Sequence, residues 1–117
     1  MRKIAVVAAM ALPLSACGSI TVPASGTTST GELFYGQAIA TMSAGTFQVT
    51  NAQNVICSGN YDQFSKAKEF DIPFKCTDGR SGTIHIVRND DLLSGGGTGV
   101  FSDGTTGEFK FGKDVGA

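Results

Sequence analysis

Two ten-residue stretches of this chain repeat one another at an offset of 25 residues, and their pattern leaves little besides β-structure open to it. Thr77-Asp78-Gly79-Arg80-Ser81-Gly82-Thr83-Ile84-His85-Ile86 aligns with Ser102-Asp103-Gly104-Thr105-Thr106-Gly107-Glu108-Phe109-Lys110-Phe111. The second half, a glycine followed by alternating polar and apolar residues, recurs as Gly45-Thr46-Phe47-Gln48-Val49. Gly31-Glu32-Leu33-Phe34-Tyr35 is a looser copy. Alternation at period two makes a strand with one buried face. Phe47, Val49, Ile84, Ile86, Phe109 and Phe111 should therefore point inward, and Thr46, Gln48, Thr83, His85, Glu108 and Lys110 outward. The Asp-Gly pairs mark turns, because glycine takes positive φ at little cost and aspartate tolerates turn geometry. Residues 72–77 and 82–88 are predicted to form one hairpin, and 99–102 with 107–112 another.

The remaining segments fit the same scheme. Residues 54–61 read as a strand with Val55, Cys57 and Tyr61 on one face, and Ile72, Phe74 and Cys76 share a face in a later strand. Asn89-Asp90-Asp91 is a turn cluster, and Gly95-Gly96-Gly97 reads as a flexible turn. Residues 62–70, with Phe64, Ala67, Lys68 and Phe70, read equally well as one helical turn or as a plain loop. All 16 glycines lie at or after Gly18, tryptophan is absent and phenylalanine dominates the aromatics. That composition suits short strands and tight turns. The predicted fold is all-β: a small antiparallel meander of seven or eight short strands, closing into a barrel or a two-layer sandwich.

The N-terminus carries a different signal. A basic start (Arg2, Lys3) is followed by an apolar run from Ile4 to Leu14, the length of a secretory h-region and too short to span a bilayer. Leu14-Ser15-Ala16-Cys17 then resembles a bacterial lipoprotein lipobox. The resemblance implies diacylglyceryl transfer to the Cys17 sulfur, cleavage before Cys17 and acylation of the new amine, so that the covalent lipid on Cys17 (palmitate or a similar chain) is the one prosthetic group expected. Gly18 in the next position resembles the pattern sorted to the outer membrane, facing the periplasm. Residues 1–16 are then a signal peptide that is removed. Residues 17–30 read as the lipidated cysteine and a flexible, uncharged tether, whose 13 residues after Cys17 would reach roughly 20 Å. Residues 31–117 read as a single β-domain.

So small a core commonly needs a covalent staple. Cys57 and Cys76 are the two thiols left in an oxidising compartment, where two thiols usually pair. Their spacing does not suit a C-x-x-C redox motif, and two ligands do not make a zinc site. A disulfide here would stabilise the fold by about 3 kcal/mol in the chain-entropy account.

Residues 18–117 carry seven Lys/Arg against ten Asp/Glu and no basic block, which excludes nucleic acid as an expected partner. Catalysis needs an acid, base, nucleophile or metal held in a cleft. The one histidine, His85, sits between two inward isoleucines and so faces out; no hydrolase, zinc-protease or phosphate-loop motif is present. Asp78, Asp90, Asp91 and Asp103 are explained by turns, and the Asn89-Asp90-Asp91 cluster lacks the spacing of a calcium loop. No catalytic residue, metal or diffusible cofactor is expected.

Two family resemblances concern the mature domain. Residues 97–109, Gly97-Thr98-Gly99-Val100-Phe101-Ser102-Asp103-Gly104-Thr105-Thr106-Gly107-Glu108-Phe109, are similar to a MORN-type hairpin repeat. Phe74-Lys75-Cys76-Thr77-Asp78-Gly79 and Ser58-Gly59-Asn60-Tyr61 look like the barrel start and the Ser-Gly-x-Tyr site loop of the MliC-type lipoprotein inhibitors of c-type lysozyme, in reverse order along the chain. That resemblance implies inhibition of a hydrolase. The reading preferred from the residues is a membrane-anchored, non-catalytic envelope lipoprotein that binds a protein or glycan partner or supports an envelope assembly, with a hydrolase inhibitor as the alternative. The candidate contact set is Tyr61, Phe64, Lys66, Lys68 and Phe70, where aromatics lie beside cations. The same aromatics would also serve by packing on the barrel.

Overall fold

The computed structural model describes residues 18–115. Among them the alternating pattern resolves into eight strands: β1 (Ser19–Thr28), β2 (Leu33–Thr41), β3 (Gly45–Thr50), β4 (Ile56–Tyr61), β5 (Glu69–Cys76), β6 (Ser81–Arg88), β7 (Gly95–Phe101) and β8 (Thr106–Phe111). Each strand pairs antiparallel with the next, and β8 pairs back onto β1, so the meander closes as a barrel and not as a sandwich. A short 3-10 turn at Gly112–Asp114 follows β8.

The repeated Asp-Gly motifs are the β5–β6 and β7–β8 turns. Gly79 and Gly104 take φ of +95° and +89°, where a side chain would be strained. The Asp78 and Asp103 carboxylates accept the backbone N–H groups of Arg80 (3.1 Å) and Thr105 (2.9 Å). Phe47, Val49, Ile84 and Ile86 are buried as the alternation requires, Phe109 and Phe111 are half-buried, and the six expected outward residues are exposed. The loose copy is out of step with the others: Phe34 is fully buried while Leu33 and Tyr35 face out.

The two ends of the barrel differ. At the end holding the 29–32, 51–55, 77–80 and 102–105 connections, Phe34, Phe74 and Phe101 fill the interior. The Phe101 ring lies 6.4 Å from Phe34 and 5.0 Å from Phe74. Cys57 and Cys76 face each other across β4 and β5 and form the expected disulfide there. The other end holds the start of β1, the 42–44, 62–68 and 89–94 loops and the closing turn. On its β1–β2 side the inner wall carries small residues, Ala24, Ala38 and Ala40, and larger apolar residues line the rest.

Three expectations are corrected. Residues 18–30 are not a tether: Ser19–Thr28 is β1, paired along its length with β2 and over Ala24–Thr28 with β8. The domain therefore starts at Ser19 and not at residue 31. Its bland composition has a steric cause. Inward positions on β1 must clear the Phe109 ring, and a Cβ on Gly26 would lie 2.4 Å from it; Gly99 and Gly107 flank the same ring from β7 and β8. Second, Gly95, Gly96 and Gly97 are not a turn but the first residues of β7, paired with both β6 and β8. The sheet coils so tightly there that a Cβ on Gly97 would sit 2.3 Å from the His85 carbonyl oxygen. Third, Ser58-Gly59-Asn60-Tyr61 lies within β4 and does not form a loop. Residues 62–68, left open between helix and loop, form a loop, and Glu69 and Phe70 already belong to β5.

Candidate functional site

Inside the end that holds the start of β1 lies an apolar cavity of about 160 Å³, partly open to solvent, with Gln63 of the 62–68 loop and Leu92 and Leu93 of the 89–94 loop in its lining. Its floor is Phe47, Val49, Ile84 and Ile86, and its wall on the β1–β2 side carries the alanines. Leucine-sized residues at Ala38 and Ala40 would have filled it; alanine leaves it empty. An engineered apolar cavity of nearly this size stays dry and takes a benzene-sized guest.

The rim is held in place by polar contacts. The Arg88 guanidinium lies over the Phe70 ring at 4.9 Å. It donates from Nε to the Ala67 carbonyl (2.9 Å) and from Nη2 to the carbonyls of Ser65 (2.9 Å) and Ala67. Gln63 Nε2 donates to the Thr41 carbonyl at 2.9 Å. The 62–68 loop is thus fastened at both ends as an arch beside the mouth. In the 89–94 loop, Asp91 accepts the Leu93 N–H (3.0 Å) and the Ser94 hydroxyl, while Asn89 bridges Ser94 and Asp114. Burial raises the Tyr61 hydroxyl pKa, with nearby Arg88 opposing weakly, so the group stays protonated at the mouth.

The sequence-derived contact set is divided by the structure. Tyr61 and Phe70 line the cavity. Phe64 points away from the barrel at 63% exposure, Lys66 is exposed, and Lys68 pairs with Asp90. The five therefore do not form one patch. The cavity itself was missed, although the run Ala24, Ala38, Ala40 at inward positions was a signal for it. Cys17 lies outside the described residues.

Other polar groupings are accounted for locally. Arg80 makes a two-point contact with Glu32 (both 2.9 Å), reaches Asp78 at 2.9 Å and lies 4.9 Å over the Phe101 ring. Glu32 also accepts from Asn51 Nδ2 at 3.1 Å, so the connections of the closed end are cross-tied. On the outer face both ring nitrogens of His85 meet carboxylates, Asp71 at 2.7 Å and Glu69 at 3.2 Å. Among the described residues no group of three His, Cys, Asp or Glu could hold a metal ion. A broad hollow of about 1100 Å³ crosses the outside of β2 to β6, lined by polar side chains such as Gln37, Gln48, Asn60 and Lys75. It is larger and more open than the cavity, and Ile39, Pro73 and Phe74 alternate with the polar groups in its lining.

No family model matches the chain, and no curated protein matches it. Among solved structures it is similar to a de novo designed fluorescence-activating β-barrel, at 18% identity and a TM-score of 0.55, over 78% of this chain and 88% of that one. At that identity the likeness concerns the fold.

Proposed function

We propose that the chain is a lipid-anchored lipoprotein of the cell envelope whose barrel is a non-catalytic binding module, taking an apolar chain or side chain into its open end. The observation that carries the binding reading is the 160 Å³ apolar cavity bordered by the 62–68 and 89–94 loops. Enclosed apolar space with a few polar groups at its entrance is the usual form of a small-ligand site. The lipobox at Leu14–Cys17 supports the anchor, and the resemblance of Gly18 to the sorting pattern supports outer-membrane placement facing the periplasm. The outer face of the strands exposes Leu33, Tyr35, Val87 and Val100, but Glu69, Asp71, Lys75, His85, Glu108 and Lys110 interrupt any continuous apolar band. A membrane-spanning barrel would need an apolar band there, so the proposed attachment is through the lipid.

A protein partner would enter the same mouth with an apolar side chain. The exposed Phe64 on a fastened arch favours, as a second reading, a partner cleft such as that of a hydrolase.

Titration calorimetry of residues 18–117 with a medium-chain alcohol tests the binding module. Ala38→Leu, which fills the cavity, should weaken binding by about tenfold or more, since it displaces the buried methylenes of the guest. Unchanged binding in that variant would place the guest elsewhere. Residual lysozyme activity at excess protein tests the second reading.

A further inference from the structure

β1 begins at Ser19, so only Gly18 separates Cys17 from the barrel. Two residues span at most about 7 Å. A lipid on Cys17 would therefore hold the barrel against the bilayer instead of clear of it, and it would hold it by one particular end. The up-and-down order of the strands puts the start of β1 at the open end, together with the 42–44, 62–68 and 89–94 loops.

That end carries an apolar ring. Ile20 is 54% exposed, Met42 78%, Phe64 63% and Leu93 50%, so β1 and each of the three loops present one large apolar side chain to solvent. The loops of the closed end present none; the exposed apolar residues nearest it, Leu33, Tyr35 and Val100, lie on the outer faces of β2 and β7. Charge does not explain the ring: around it, Lys66, Lys68, Arg88, Lys110 and Lys113 stand against Asp62, Glu69, Asp90, Asp91 and Asp114, an even balance. A face without excess positive charge gains little from anionic headgroups, which leaves insertion of apolar side chains as the attraction.

We infer that the open end of the barrel is a membrane-seating face: Ile20, Met42, Phe64 and Leu93 enter the lipid surface and the cavity opens directly onto it. The occupant of the face is the bilayer that holds Cys17, and an acyl chain is the apolar guest nearest the mouth. The inference rests on the proposed lipid anchor, and it deepens the binding reading by naming the guest.

The chain contains no tryptophan, and Cys57 and Cys76 are bonded to each other, which permits a direct test. Residues 17–117 are coupled through the Cys17 thiol to a maleimide lipid in phosphatidylcholine vesicles whose acyl chains are brominated. Tryptophan reporters are placed singly by Phe64→Trp and Met42→Trp at the ring, and by Tyr35→Trp on the outer face of β2. Cooperative unfolding is checked for each variant, and two ring reporters guard against one that fails to fold. The ring reporters should be quenched about threefold or more strongly than the Tyr35→Trp reporter, because quenching by acyl bromine requires entry below the headgroups. Salt should change this little. Equal quenching, stronger quenching at Tyr35→Trp, or none at any reporter overturns the seating face. The intact mass of the mature protein tests the anchor separately. An unlipidated mass with ring quenching removes the anchor and leaves the face; a lipidated mass without ring quenching does the reverse.

Discussion

Arg80 and Glu32 stand 48 positions apart in the chain and meet at the closed end of the barrel, mostly shielded from water. Truncating one partner of such a pair leaves the other charge poorly solvated, and partial exposure reduces the cost. Arg80→Ala should therefore destabilise the fold by about 2–3 kcal/mol, read from the urea midpoint, and Arg80→Lys should recover only part because lysine cannot make the two-point contact. The Arg80 hydrogen bonds hold the Glu32 carboxyl below its usual 4.5, against the opposing effect of burial. A lowered carboxyl contributes stability above its unfolded value, lost as pH falls through the folded one, so Glu32→Gln should flatten the acid limb below about pH 4.5. His85 has the opposite sign. Its hydrogen bonds to Asp71 and then Glu69 raise it above 6.5, so what it contributes is fully present below 6.5 and lost as pH rises through the folded value. NMR titration should find His85 above 6.5, and Asp71→Asn should bring it down. The outward aim of His85 was legible from its isoleucine neighbours. The Arg80 partners were not, because only closure of the barrel brings the loops of Glu32 and Asp103 to it.

At the scale of elements, the seams are unequal. β4 and β5 are joined by the shortest ladder, three register pairs: Cys57 with Cys76, Ser58 with Lys75 and Gly59 with Phe74. The next pair in register would set Asn60 against Pro73, which has no N–H to donate. Beyond it the strands part to admit the 62–68 arch, and the disulfide clamps the far end of the same seam. Replacing both cysteines by serine should cost about 2–3 kcal/mol. Native-state amide exchange should rise first in β4 and the second half of β5; a uniform rise across the barrel would mean that the bridge does not guard this seam. Hairpins were legible wherever the strand carried bulky alternating residues, as in β6 and β8. β1 and the start of β7 were not, because both lie against large neighbours, Phe109 for one and the β6 backbone for the other, and the small residues that permit such approach look like linker. The period was still present in β1, in Ile20, Val22, Ala24, Gly26 and Thr28, once bulk is set aside.

For the molecule as a whole, the contrast between its ends matters more than the barrel's closure. One end holds three phenylalanines, with Phe101 stacked on Phe34 and edge-on to Phe74, a disulfide and a charged lock; the other holds alanines, an opening and an apolar ring. The packed core and the proposed binding site thus lie at opposite ends of one axis, and the end that would meet the membrane is the end least well packed. Substitutions that remove and add volume should then act in opposite senses. Phe101→Ala at the packed end should cost about 3–5 kcal/mol, a large share of what a domain this small possesses. Ala38→Leu at the open end adds volume where space exists and should raise stability by about 0.5–1 kcal/mol, a shift of several degrees in Tm. Thermal unfolding of the two variants beside the parent measures both. Should Ala38→Leu instead lower Tm as an overpacked core does, the open end has no room for a guest, and the seating face would have to act through its rim alone.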